Sequence, residues 1–269
     1  MDNKYGFLKP EIKPDDYVLG AGKIPEEVLQ ENGNWLLLLP IFEKQKKGTE
    51  TYNCTAFGTT SALEILMKKK FGEEKNYSDR ALGIMAGTFP PGNDPNTVAQ
   101  ALRDNGLINE ELLPFSDDID SVEKYYSPKP LPDNLVEAAK EFTNTYDFKH
   151  EWGWSWGVSL EEKHRRLKEM LKCSPIGVSV YAWEQDGNGL HIKTGEDNHW
   201  CVLYGFDELL NVWLIFDSYE NNLKMLHPDY DFGWAKRYWI EKKPIVMEKK
   251  RPWTRFIEAI KRYFTEIFK

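Results

Sequence analysis

The apolar pattern of this chain changes period half-way along, and that change limits the fold more than any other feature. From Cys54 to Phe71, residues Ala56, Phe57, Leu63, Leu66 and Met67 form a stripe at helical spacing that Gly72 closes. Further helices are predicted from about Asn96 to Asn105, from Asp133 to about Tyr146, and from Leu160 to Lys172, where Ser159 and Glu162 have capping-box spacing. After Pro175 the pattern reads as strands, at Ile176–Trp183, Trp200–Phe206, Val212–Asp217 and Tyr238–Ile240. Helices first and strands second predict an α+β fold in which a helical lobe meets an antiparallel β-rich lobe. Ahead of Cys54, residues 1–33 read as an irregular lead-in broken by Pro and Gly, with one short helix at Glu26–Gln30. Trp35–Leu39 reads as a buried strand ended by Pro40.

The net charge of −8 argues against a nucleic-acid binder, which needs a basic surface to displace counterions. Aromatic residues make up 14% of the chain, enough to build a core and to exclude disorder as the overall class. No apolar run reaches the roughly 20 residues of a membrane span, and Met1–Tyr5 lacks the apolar stretch of a signal peptide. Three cysteines make no disulfide framework, so a protein of a reducing compartment, the cytoplasm, is expected.

Cys54 stands where a polar loop turns into a helix, so helix amides and dipole are expected to favour its thiolate, the nucleophile of acyl transfer. On this feature alone, the reading as a small buried core residue, as most free cysteines are, is the stronger one. His199 changes that weighting. It precedes the strand Trp200–Phe206, and a turn at Asp207–Asn211 leads into a second strand that ends at Asp217. Such a hairpin returns Asp217 to His199, where a carboxylate accepting the Nδ1 proton leaves Nε2 facing the thiol, the logic of a nucleophile, base and orienter. His150, His164, His191 and His227 have no second ligand at metal spacing, so neither metal nor cofactor is expected. Cys173 and Cys201 read as inert core thiols.

These residues stand in motifs that resemble the papain-like (C1-type) cysteine peptidases. Cys54-Thr55-Ala56-Phe57 with Ala62-Leu63-Glu64 is similar to that family's nucleophile helix, and Asn198-His199-Trp200 running to Gly205-Phe206 is similar to its His strand. Asp217-Ser218-Tyr219 stands where the family has Asn-Ser-Trp, and Gly106-Leu107-Ile108 to Pro114-Phe115 resembles another of its segments. The resemblance covers about Trp35 to Ile240. It implies a papain-like two-lobed domain over 34–245, cleaving peptide or protein substrates with Cys54 as nucleophile, His199 as base and acid, and Asp217 in the Asn position. It implies Gln45 as oxyanion donor and Gly92-Asn93 as the substrate-backbone clamp, with Asn53, Asn198 and Tyr219 as further substrate contacts. The chain departs from the pattern in its longer Gln45–Cys54 loop and in Thr55 following the nucleophile. With 53 residues before Cys54, a compact relative without the family's long inhibitory propeptide is expected. Two alternatives stay open, a peptidoglycan amidase or C39-like peptidase of the same residue order, and a catalytically silent peptide-binding protein.

After Pro244, residues Trp253, Phe256, Ile257, Ile260, Phe264, Ile267 and Phe268 recur at helical spacing, with seven basic residues against two acidic ones over 249–269. A basic amphipathic helix is expected over 246–269. It either packs on the domain or on a second copy, or lies in an anionic membrane surface through residues 252–269.

Overall fold

The computed structural model describes residues 5–13, 16–21 and 24–244. The basic helix expected at 246–269 lies outside the described residues. A two-stranded hairpin, β1 (Lys46–Lys47) and β2 (Thr49–Glu50), precedes the helices α1 (Cys54–Phe71), α2 (Asp79–Met85), α3 (Pro95–Asn105), α4 (Val122–Tyr125) and α5 (Asp133–Thr145). Then come β3 (Tyr146–Trp152), α6 (Leu160–Cys173), β4 (Ile176–Val180), β5 (Glu184–Gln185), β6 (His191–Ile192), β7 (His199–Asp207), β8 (Val212–Phe216), β9 (Leu223–Leu226) and β10 (Ala235–Lys242). The result is the α+β arrangement expected. Strands β3 to β10 form one eight-stranded sheet in the order β3-β10-β4-β7-β8-β9-β6-β5, antiparallel except for the β6–β9 pair.

Helix α1 is the hub. Its residues are buried on almost every face from Cys54 to Met67, as a helix at the centre of a core requires. Close approach to β7 depends on Gly58, where a Cβ would stand 2.8 Å from Trp200 Cδ1. Gly72 ends α1 in the left-handed region at φ +67°. Asp94 caps α3 by accepting from Asn96 N and Thr97 N, with Pro95 in the first turn, and Ser159 caps α6 by accepting from Glu162 N.

Some expectations fail locally. Trp35–Leu39 is no strand: Leu36–Leu38 form a 3-10 turn with Leu37 exposed, and Trp35 alone is fully buried, its indole donating to Leu171 O at 2.8 Å. The helix expected at Glu26–Gln30 is absent. The predicted third helix gives way to β3 at Tyr146, and α2 and β9 were not foreseen. Among the described residues, no helix is long and apolar enough to cross a membrane.

Candidate active site

The β7–β8 hairpin brings His199 to Asp217. β7 begins at His199 itself, and pairing of Val202 with Phe216 returns the next residue, Asp217, to the start of β7. His199 Nε2 donates to Asp217 Oδ1 at 2.6 Å, and both side chains are fully buried. This reverses the expected use of the ring: Nε2, not Nδ1, faces the carboxylate. His199 Nδ1 is left buried with no hydrogen-bond partner. The sulfur of Cys54 accepts from the backbone N–H of Trp200, which places it beside the residue that follows the base.

Lys224, absent from the sequence expectation, completes the pair. Its ammonium donates to Asp217 Oδ2 at 2.7 Å and to the carbonyls of Glu220 and Asn221. Burial pushes the Asp217 carboxyl up, but the His199 imidazole and the Lys224 ammonium outweigh it and hold the group below its usual range. Three rings enclose His199: Tyr5 at 5.4 Å, Tyr219 at 5.3 Å and Trp183 at 5.8 Å between centroids.

For Cys54 the helix terminus does not win. Burial raises its thiol well above the ordinary value, and the charges of Glu50 and Asp217 add to that, against the N–H groups of Trp200 and Thr55. In this conformation the group is a thiol.

Cys54 packs in one cluster with Phe7, Trp152, Trp200 and Trp234. Residues 5–8 lie across the site. Gly6 O accepts from Asn93 N at 2.9 Å, and Leu8 N donates to Asn93 O at 3.0 Å, so the residue expected to clamp a substrate backbone clamps this segment instead. Glycine is required at both positions for different reasons: a Cβ on Gly92 would fall 1.9 Å from Gly6 O, and one on Gly6 would fall 2.1 Å from Tyr52 O. Phe7 is 2% exposed, stacks on Trp200 at 6.0 Å, and packs in one cluster with Cys54, Trp152 and Trp234. A groove of about 660 Å³, lined by Trp154, Trp156, Trp234 and Asp197, continues from Phe7.

Gln45 is fully buried, and its Nε2 donates to Tyr5 O at 2.9 Å and to Glu50 Oε1 at 2.8 Å. Its Oε1 accepts from Ser218 Oγ at 3.0 Å. The other expected contacts divide. Tyr219 lies over His199, with its hydroxyl on Glu50 Oε2. Asn53 turns away, donating to Asp79 O and Tyr125 OH inside the helical lobe. Asn198 is spent on the fold, accepting from Ala182 N. Among the described residues, no group of three or more His, Cys, Asp or Glu side chains is placed to hold a metal.

No protein-family model and no curated protein sequence matches the chain. Solved structures do. The digestive procathepsin L 3 of Tenebrio molitor larval midgut superposes with a TM-score of 0.56 at 15% identity, over 88% of this chain and 76% of that one. Xylellain, a cysteine protease from Xylella fastidiosa, superposes with a TM-score of 0.58 at 17% identity, over 90% of this chain and 96% of that one. The structural neighbours are papain-like cysteine proteases, and the chain has their fold.

Proposed function

We propose that this protein is a cysteine peptidase with Cys54 as nucleophile. The observation that carries the reading is the buried His199–Asp217 pair, with His199 Nδ1 left over and the backbone N–H of the next residue, Trp200, on the Cys54 sulfur. The thiol proton passes to His199 Nδ1, and the thiolate attacks the peptide carbonyl carbon. The carbonyl π pair moves to oxygen, and the Gln45 amide and the Cys54 backbone N–H stabilise the oxyanion. The imidazolium returns its proton to the amine nitrogen as the C–N bond breaks. Water, giving a proton to Nδ1, then attacks the thioester, and Cys54 leaves as the thiol. Throughout, Nε2–H stays on Asp217. The segment 5–8 must leave before a substrate enters, since it holds the Asn93 backbone and the Gln45 amide.

A mixed peptide library tests this. Wild type should cleave it, and Cys54→Ala and His199→Ala should not. Cys54→Ala should keep stability within about 1–2 kcal/mol, whereas His199→Ala, which strips a partner from the buried Asp217, should cost about 3 kcal/mol. The complete burial of Cys54, in a cluster that includes Phe7, favours a second reading, a silent peptide-binding protein. Peptide binding without turnover, by wild type and by a Phe7→Ala variant alike, would decide for it.

A further inference from the structure

We propose that Glu50 is a positioning residue, which locks the Gln45 side-chain amide with its nitrogen toward Tyr5 O and Tyr219 OH, beside the rings that cover His199. The inference rests on the peptidase reading for its catalytic meaning and on geometry for its substance. An amide can sit either way round, with opposite consequences: nitrogen inward offers a donor to an oxyanion, while oxygen inward repels it. Here both ends are specified. Ser218 Oγ donates to Gln45 Oε1 at 3.0 Å, and Glu50 Oε1 accepts from Gln45 Nε2 at 2.8 Å. An ionised carboxylate can only accept, so Glu50 rejects the flipped amide, whose oxygen would face it.

Glu50 is itself fixed. The tight hairpin at Gly48, φ +82°, turns the chain so that Lys46 pairs with Glu50 and brings this side chain back beside Gln45. Glu50 Oε1 also accepts from Tyr52 N at 3.1 Å, and Oε2 accepts from Tyr219 OH at 2.5 Å. Tyr219 covers His199, so one carboxylate ties the oxyanion donor to the ring over the base. Gln45 Nε2 donates to Glu50 Oε1, to Tyr5 O at 2.9 Å and to Tyr219 OH at 3.1 Å, its two hydrogens shared among the three acceptors. The Tyr5 carbonyl marks where a peptide carbonyl oxygen would sit. The extra length of the Gln45–Cys54 loop, unexplained by sequence, is what makes room for the hairpin that carries Glu50.

The test compares turnover of a peptide with alkylation of Cys54 by iodoacetamide, which forms no oxyanion. Removing an oxyanion donor costs about 10²–10³ in kcat, so Glu50→Ala, which only loosens the donor, should lower kcat about tenfold to a hundredfold with KM nearly unchanged. Alkylation of Cys54 should not slow, because the lost negative charge eases thiolate formation. Gln45→Ala should cost at least as much, and adding Glu50→Ala to it should cost nothing more. Glu50→Gln, whose amide oxygen can still accept from Gln45, should recover most of the turnover. Multiplying losses in the double variant, or alkylation falling in step with kcat, would overturn the proposal. Should wild type turn over no peptide, the peptidase reading alone falls. The Gln45 side-chain amide resonances then decide, with proton exchange at least tenfold faster in Glu50→Ala supporting the lock and unchanged exchange refuting it.

Discussion

His199 and Gln45, proposed above as base and oxyanion donor, are held in different ways. His199 and Asp217 end neighbouring strands of an eight-stranded sheet, and backbone register alone brings them together. Gln45 sits ahead of a hairpin that pairs with nothing but itself; one backbone bond, to Ser218 O at 2.9 Å, holds its main chain, and its side chain is placed by Glu50, Ser218 and Tyr219. Catalytic geometry carried by a sheet is fixed by the cooperative ladder. Geometry carried by a loop depends on single hydrogen bonds, each open to loss by one substitution.

The largest expected effect measures that asymmetry in rate. His199→Ala should lower kcat/KM by at least about 10⁴-fold, as loss of a triad member does, while Gln45→Ala should lower it by only about 10²–10³. Equal losses on peptide hydrolysis would erase the distinction between the two sides.

In stability the contrast should be as clear. Lys224→Met strips one partner from a fully buried pair, which costs about 3 kcal/mol, the lower end of the range because His199 remains on Asp217. Lys46→Ala, exposed on the hairpin, should stay within about 0.5 kcal/mol. Denaturant unfolding reads both. The depressed Asp217 carboxyl stabilises the fold above the ordinary carboxylate range near about 4, and that contribution is lost as pH falls through its lower folded value. Lys224→Met should therefore also unfold at a less acidic pH than wild type.

How far each part could be read from sequence follows the same division. The pairing of His199 with Asp217 was legible because a hairpin of known length fixes which residues meet. Which ring nitrogen faces the carboxylate was not, since it depends on the side of the strand from which Cys54 approaches. Lys224 was hidden by its own strand: apolar Leu223 and Met225 face solvent while Lys224 and Leu226 face inward, the reverse of the pattern that hydrophobicity suggests. Tyr5 and Phe7 gave no periodic signal, because an extended segment filling a cleft has neither a helix nor a sheet to repeat along.

That segment supplies a smaller test. Phe7→Ala removes an anchor worth about 2–3 kcal/mol of burial, so residues 5–8 should release more often. Alkylation of Cys54 should rise at least about tenfold relative to Cys173, a half-buried thiol that serves as the internal reference. An unchanged ratio would mean that the sheet, not the segment, closes the nucleophile.

The smallest effect belongs to the helical lobe behind the hairpin, where Glu43, Glu64, Asp79 and Glu110 gather. Burial pushes Glu110 up to about 7, with the charge of Glu43 adding and Lys47 opposing. A raised carboxyl stabilises the fold below its unfolded value and loses that contribution as pH rises through the folded one. Wild type should lose melting temperature between pH 5 and pH 8, and Glu110→Gln, which can still accept from Phe115 N, should lose less.

One measurement bears on the central claim without any choice of natural substrate. A peptidyl ester, whose alkoxide leaves readily, acylates a competent cysteine faster than water clears it, and mass spectrometry of the quenched protein locates the acyl group. The account predicts one acyl group on the peptide containing Cys54, absent from Cys54→Ala and from His199→Ala. Acylation at Cys173 or Cys201, or peptide bound with no acyl group formed even by Phe7→Ala, would contradict it.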